Sequence, residues 1–426
     1  MADKRKLEEI LSDQKYEIEL KSHKRFVARR EESYIDLDSP QAQVVIGVRR
    51  CGKSTLCLNA LKTSGKKFAY VNFDDERLIN IKAEDLNDIL EVLYKINGEF
   101  NYLFIDEIQN INEWYLFVNR LLRREMHVVI TGSNAKLLSG ELATHLTGRH
   151  KAVTLYPFSF REFCEYKEVD ISGMATHLVA ARRAAFDEYM HQGGFPELLT
   201  LSNHRAYITY IKGLVDNIVK RDMEQRFRIA HKAAFENLVK HLLNTSPGII
   251  SEKGLAEIFK LKSVHTAANY VNHTTEAFLL ANLSKFSYKS KLRISQKKLY
   301  PIDVALMNNR EDAFAGENLG PRLETIVYIE LLRRFKPQGK DIFYYSERYG
   351  ECDFVVCDGA KVETAIQVSY DISDPKTRER EIKGLLMAAD KLKAGKLVLL
   401  TDHEYEDIEC DGKKIAIRPV YEFTLM

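Results

Sequence analysis

The sequence predicts an α/β protein built on a parallel sheet, and three observations carry that prediction. From Gln43 to about Leu155, short apolar runs alternate with helical patterns, as in strands joined by crossover helices. The first run, Val44-Val45-Ile46, enters a loop bounded by Gly47 and Gly52 and then a polar helix start at Lys53-Ser54-Thr55. A later run, Leu103-Phe104-Ile105, ends in two carboxylates, Asp106 and Glu107, at the kind of strand terminus where ligands of open α/β sheets collect.

Composition sets the limits. With 426 residues, 45% hydrophobic and 29% charged, the chain is an ordinary globular protein with room for roughly two to four domains. A formal net charge of +2 does not argue for nucleic acid, so any basic binding surface must be local. The six cysteines lack paired zinc or redox spacing and fit a reduced interior. No apolar run approaches the roughly 18 to 20 residues that span a bilayer. Met1 to Glu9 carries both signs of charge and does not read as a signal peptide, so the cytoplasm is expected.

Taken in order, residues 1–40 read as a mostly helical segment with Leu7, Ile10 and Leu11 as apolar contributions. The cluster Lys21, Lys24, Arg25, Arg29 and Arg30 is either a solvated helix face or a contact with nucleic acid or a neighbouring subunit. In residues 41–155, strands are expected at Val44–Ile46, Phe68–Phe73, Tyr102–Ile105, Val128–Thr131 and Ala152–Leu155.

The segment Gly47 to Thr55 has the full pattern of a phosphate-binding loop. Gly47 and Gly52 let backbone amides turn inward, and the helix start adds its positive dipole end. The loop residues Arg50 and Cys51 complete the cradle with Gly47, Gly52, Lys53, Ser54 and Thr55. Lys53 is placed to reach the β- and γ-phosphates, and the Ser54 hydroxyl to ligate Mg²⁺. Asp106 would help hold that Mg²⁺, and Glu107 would orient and deprotonate a water. Ser133, in Thr131-Gly132-Ser133-Asn134, can bond a γ-phosphate or position the water, or merely cap a helix. Cys51 is a tolerated neutral residue, or a thiol made oxidation-sensitive by phosphate-binding amides.

Together these segments look like the AAA-type P-loop ATPases of bacteria and archaea that carry a C-terminal domain of unknown function. The resemblance continues through Leu146-Thr147-Gly148-Arg149, Tyr156-Pro157-Phe158-Ser159-Phe160-Arg161-Glu162-Phe163, Gly193-Gly194-Phe195-Pro196-Glu197 and Leu299-Tyr300-Pro301-Ile302-Asp303, covering nearly the whole chain. It implies ATP and Mg²⁺ as cofactors. It also implies that Arg149 completes the site, either within its own subunit or across the interface of a homo-oligomer, unless it is a surface arginine paired with an acid.

Residues 156–234 are helical by pattern, broken at Gly193 to Pro196, and resemble the family's helical lid. In residues 235–310, a capped helix from Ser251 to Phe259 and a second from Ser263 to about Ala277 have helix-turn-helix spacing. The β-like runs Phe278 to Tyr288 and Leu292 to Tyr300 would complete a winged helix. Lys285, Lys289, Lys291, Arg293, Lys297 and Lys298 make 285–298 a basic ribbon, suited to DNA phosphates or left as part of a packing module. His265, Asn269 and His273 share one stripe of the second helix.

Residues 311–426 show a helix carrying Glu324 and Glu330, then strands at Ile342–Tyr345, Cys352–Val356 and Thr364–Val368, a helix at 375–392 and a strand from Lys396 to Leu400. This order resembles the restriction-endonuclease-like, PD-(D/E)xK core. Gln367 stands where that core needs an acid, and Ser369 where it needs a lysine, so an inactive structural or DNA-binding version is expected. Glu351, Asp353 and Glu363 leave some capacity for metal. The function expected is Mg²⁺-dependent ATP hydrolysis coupled to domain motion. The alternative is a slow nucleotide-gated switch on DNA or protein.

Overall fold

The computed structural model describes residues 3–21, 25–133, 146, 148–227, 229–287, 296–309, 319–348 and 350–426. The chain divides into two units, residues 1–155 with 276–278 and residues 156–275 with 279–426.

In the first unit, β1 (Ala42–Ile46), β2 (Phe68–Asn72), β3 (Tyr102–Asp106), β4 (His127–Gly132) and β5 (His150–Thr154) form a parallel sheet in the order β2-β3-β4-β1-β5. β1 and β3 are buried at every position, which explains their continuous apolar runs. β5 begins two residues earlier than expected, at His150 and Lys151, because an edge strand tolerates exposed polar residues. Leu7, Ile10 and Leu11 of the N-terminal helix Lys4–Lys21 join a core with Ile89, Leu90 and Leu93. Gln14 closes the outer edge of β2: its amide donates to the Asn72 carbonyl at 3.1 Å and accepts from the Asn72 N–H at 2.9 Å.

The second unit opens with the helices Phe160–Lys167, Thr176–Gln192, His204–Asn217 and Lys232–Thr245, with a π-helical stretch at Ile218–Glu224. The short strand β6 (Gly248–Ile250) precedes helices Glu252–Ile258 and Val264–Glu276, the first capped by Ser251 and the second by Ser263. β7 (Leu280–Ser284) and β8 (Lys297–Pro301) then join β6 in an antiparallel sheet of order β6-β8-β7.

After the helix Leu319–Phe335 comes a mixed sheet of β9 (Asp341–Glu347), β10 (Gly350–Asp358), β11 (Lys361–Val368), β12 (Lys396–Thr401), β13 (Glu406–Cys410) and β14 (Lys413–Pro419). Its order is β13-β14-β12-β11-β10-β9, with helix Pro375–Leu392 between β11 and β12.

Three of the sequence segments that carry the resemblance meet at one junction in this unit. The Gly194 N–H donates to Asp303 at 2.9 Å, and the Gly194 carbonyl accepts from the Phe158 N–H at 2.7 Å. A Cβ on Gly194 would lie 2.1 Å from the Phe158 carbonyl oxygen, and one on Gly193 would lie 2.0 Å from Asp303. The paired glycines therefore permit a close approach that no side chain allows. Arg333 adds a bond to the Pro157 carbonyl at 2.9 Å.

Candidate functional site

The loop that leaves β1 is held open by unusual backbone angles. Gly47 and Gly52 have φ of 154° and 103°, and Arg50 has φ of 71°. A Cβ on Gly47 would stand 2.1 Å from the Leu155 carbonyl oxygen, so only glycine fits there. Helix Lys53–Thr63 starts directly after the turn, and its first N–H groups lack carbonyl partners within the helix. The result is a concave run of amides with a helix N-terminus behind it, which favours a phosphate. Lys53 is buried, and its Nζ donates to the Gly47 and Val48 carbonyls at 3.1 Å each and lies 3.9 Å from Glu107.

The two acids at the end of β3 face this loop with different partners. Asp106 accepts from the Ser54 hydroxyl at 2.9 Å, from the Tyr70 hydroxyl at 3.1 Å, and from Thr131. Burial and then Glu107 raise the pKa of Asp106. Burial opposes the charge on Glu107 too, but Lys53 and Arg49 outweigh it and hold that carboxyl below its ordinary range. Glu107 sits at φ 54°, and its N–H donates to Thr131 Oγ1 at 3.1 Å.

A hydroxyl and a carboxylate oxygen in contact are the hard donors that Mg²⁺ accepts. Among the described residues no group of three or more His, Cys, Asp or Glu is placed to hold a metal, so phosphate and water oxygens would complete the shell, as Mg²⁺ prefers.

The structure changes several assignments. Ser133 is buried, bonds Glu107 and lies 3.4 Å from the Gln109 amide, which also donates to Glu107, and Thr131 bonds Asp106. Thr131 thus joins Ser133 as a hydroxyl at the acids. Cys51 is fully buried with its Sγ 3.4 Å from the Leu155 carbonyl, and burial raises its pKa, which argues against an oxidation-sensitive thiol.

Arg149 stands at the far end of the sheet from the loop of its own chain. β1 and β5 are parallel with Ala42 opposite His150, and the Arg149 carbonyl accepts from the Ala42 N–H at 2.9 Å. Arg149 therefore marks the beginning of the strands, whereas the loop lies at their end, on the order of 15 Å away. Its exposed side chain contacts Asn119 at 3.4 Å. Asn134 and Thr147 lie outside the described residues.

Arg29 departs from a solvated helix face. It follows the N-terminal helix in extended backbone, is 6% exposed, and its Nη1 donates to the Cys51 carbonyl at 3.1 Å. A lone arginine in a charged stretch offers no sequence signal for this contact.

The basic ribbon divides. Lys289, Lys291 and Arg293 lie outside the described residues. Lys285 and Lys297 are half-buried, and Lys298 is turned inward. Its Nζ lies 2.6 Å from Glu324, 3.2 Å from Glu351 and 3.9 Å from Asp353. Burial opposes this charge, but Glu324, Asp353 and Glu351 outweigh it and raise the ammonium's pKa. Lys298 is thus removed from any DNA-contacting set. His273 stacks on Phe227 with ring centres 3.8 Å apart, which separates it from exposed His265 and half-buried Asn269.

The same lysine corrects the expected metal capacity of the last domain. Glu351 and Asp353 face its ammonium, and Glu363 pairs with Lys340 at 2.6 Å. The Gln367 amide accepts from the Asp353 N–H at 3.2 Å and donates to Glu381 at 2.7 Å, while Ser369 bonds the Asp371 carbonyl at 3.2 Å. Among the described residues no helix is long and apolar enough to cross a membrane.

Comparison with known proteins matches three successive segments of the chain. An AAA domain matches residues 39–164, and two domains of unknown function, DUF8612 and DUF4143, match residues 183–315 and 319–419. Over 403 residues the chain is 34% identical to an uncharacterized protein of Methanocaldococcus jannaschii, covering 92% of this chain and 90% of that one. An uncharacterized Haemophilus influenzae protein is 29% identical over 390 residues, covering 89% of this chain and 93% of that one. Solved structures align loosely. AMPPCP-bound DnaA from Aquifex aeolicus is 16% identical over 57% of this chain and 83% of its own, with a TM-score of 0.26. The Thermotoga maritima RuvB Holliday junction branch migration motor is 14% identical over 63% of this chain and 88% of its own, also at 0.26, too low to argue a shared fold.

Proposed function

The chain belongs to the family of the Methanocaldococcus jannaschii relative, its AAA domain followed by DUF8612 and DUF4143 domains, and from that premise we propose that it is a Mg²⁺-dependent ATPase. The observation that carries this reading is the contact of Ser54 with Asp106 at 2.9 Å beside the glycine-bounded loop, with Lys53 and Glu107 at its side. The amides of Gly47 to Thr55 hold the phosphates, and Lys53 exchanges its carbonyl partners for phosphate oxygens. Ser54 and Asp106 would hold Mg²⁺, which would supply positive charge against the phosphates. Glu107, kept ionised by Lys53 and Arg49, orients the attacking water and takes its proton, and Thr131 and Ser133 steady the strand end around it. Arg149 acts across the interface of a homo-oligomer.

Gln109 favours a slower variant of the same chemistry. Its amide donates to one oxygen of Glu107, which restrains the base and takes up part of its acceptor capacity while leaving the other oxygen for a water. A nucleotide-gated switch with occasional hydrolysis follows from that restraint. The helix, strand, two helices and hairpin from Lys232 to Pro301 support a winged helix preceded by a helical lid. The last sheet supports a restriction-endonuclease-like fold without nuclease activity, Lys298 standing among its acids.

An assay of phosphate release with Mg²⁺, with and without duplex DNA, tests the reading. Saturable hydrolysis lost in Lys53→Ala is expected; equal release by both proteins sinks it. If the wing binds DNA, neutralising Lys285, Lys289, Lys291, Arg293 and Lys297 while sparing Lys298 weakens binding and lowers the salt slope by about one for each DNA phosphate left without its cation. Unchanged anisotropy titrations would leave the wing as a packing element.

A further inference from the structure

We infer that Arg29 is a positioning residue for the phosphate loop, holding the Cys51–Gly52 peptide so that its N–H is turned toward the bound phosphates. The inference rests on the nucleotide reading of that loop and extends it to a residue outside the motif. A trans peptide directs its C=O and the following N–H to opposite sides. The Arg29 guanidinium takes the Cys51 carbonyl at 3.1 Å from outside the loop, so the Gly52 N–H points the other way. Gly52, at φ 103°, has little steric preference of its own for this orientation, because glycine visits many backbone conformations. A fixed external donor removes that freedom before ligand arrives, and preorganisation of this kind lowers the cost of binding.

The placement of Arg29 is specific. It is 6% exposed, and its Nη1 lies 3.5 Å from where a Cβ of Gly52 would stand. The segment that carries it is tied to the same helix three residues on, where Glu32 accepts from Asn59 at 3.0 Å and 3.1 Å. The N-terminal strap thus grips the loop at its backbone through Arg29 and the helix behind it through Glu32. Only the first contact bears on the orientation of a phosphate-binding amide. A charge-assisted hydrogen bond from an arginine is also stronger than a neutral one, which suits a carbonyl that must not turn.

Arg29→Ala, Arg29→Lys and Asn59→Ala, compared with the parent by titration with mant-ATP and by steady-state hydrolysis, test the inference. Arg29→Ala should bind mant-ATP about ten- to a hundredfold more weakly, the size expected for losing a hydrogen bond to a charged group. Its kcat at saturating ATP should fall much less than its affinity. Arg29→Lys keeps the cation without the planar fork, and should fall between the parent and Arg29→Ala, at least threefold weaker than the parent. Asn59→Ala loosens the strap without touching the Cys51 carbonyl, and should lower the melting temperature while leaving affinity within twofold of the parent. If Arg29→Ala does not fold, Arg29→Lys decides, and parent-like affinity there overturns the inference. Equal weakening by Asn59→Ala and Arg29→Ala overturns it as well, since that is the mark of a general structural role. A parent that binds mant-ATP while Arg29→Ala binds equally well overturns this inference alone. A parent that binds no mant-ATP overturns both it and the ATPase reading.

Discussion

Two lysines in this chain stand beside buried acids, and their surroundings give them opposite roles. Lys53 donates to two loop carbonyls at 3.1 Å and keeps Glu107 at 3.9 Å, next to a helix N-terminus that draws a further anion. Lys298 is enclosed by Glu324, Glu351 and Asp353, and the Tyr300 hydroxyl adds a bond to Glu324 at 2.7 Å. The first lysine donates only to loop carbonyls, which a phosphate oxygen could replace as acceptor. The charge of the second is more than matched by its own protein, so it has none left for an outside anion. A lysine next to a carboxylate therefore identifies a ligand site only when something nearby still favours another charge.

The contrast can be broken most decisively at Glu107. Glu107→Gln should bind ATP with near-parent affinity and lower the rate of phosphate release by about 10² to 10⁴, the range for loss of a general base. Hydrolysis at the parent rate would remove Glu107 from the chemistry. At the other lysine, Lys298→Met leaves buried carboxylates without their cation and should cost roughly 3 to 5 kcal/mol in urea denaturation, with ATP affinity unchanged. The double variant Lys298→Met with Glu324→Gln should recover part of that loss. Parent-like stability in Lys298→Met would show the cluster to be incidental.

A smaller effect distinguishes the units by pH. Glu107 is held low by cations, whereas burial, opposed by bonds from the Ala305 and Gly194 N–H groups, pushes the Asp303 carboxyl up to about 6. The folded chain thus binds this proton more tightly than the unfolded chain, whose aspartates titrate near 3.9. Its contribution is complete below about pH 4 and is lost as pH rises through 6, a change of up to about 3 kcal/mol. Asp303→Asn should flatten the stability profile between pH 4 and 6 relative to the parent. Parallel profiles in denaturant titrations at several pH values would refute the assignment.

Much of the nucleotide site could be read from the chain because its determinants are local. A glycine-bounded loop after an apolar strand, and paired acids after another, are patterns that neighbouring residues impose on one another. Arg29 and Lys298 escaped for the opposite reason. Each lies in a charged stretch that looks solvated, and each is buried because distant groups, the Cys51 carbonyl in one case and Glu324 with Asp353 in the other, supply what burial of a cation requires. Whether Arg149 stands near its own loop could not be read from the chain, because that distance follows from strand direction and register. Thr131 and Ser133 are two residues apart on one strand end, and only their partners separate the hydroxyl that bonds Asp106 from the one beside Gln109. The charged alternation of β13 hid a strand at the sheet's edge.

The junction of Gly193, Gly194, Phe158 and Asp303 has a consequence for how such chains can be recombined. Its parts come from sequence positions more than a hundred residues apart, yet each glycine is shaped to the partner it meets. A chimera that exchanged only the helices before β6, or only the segment that carries Asp303, would still need this fit at the seam. One that moved residues 156–426 as a block would carry these matched surfaces with it.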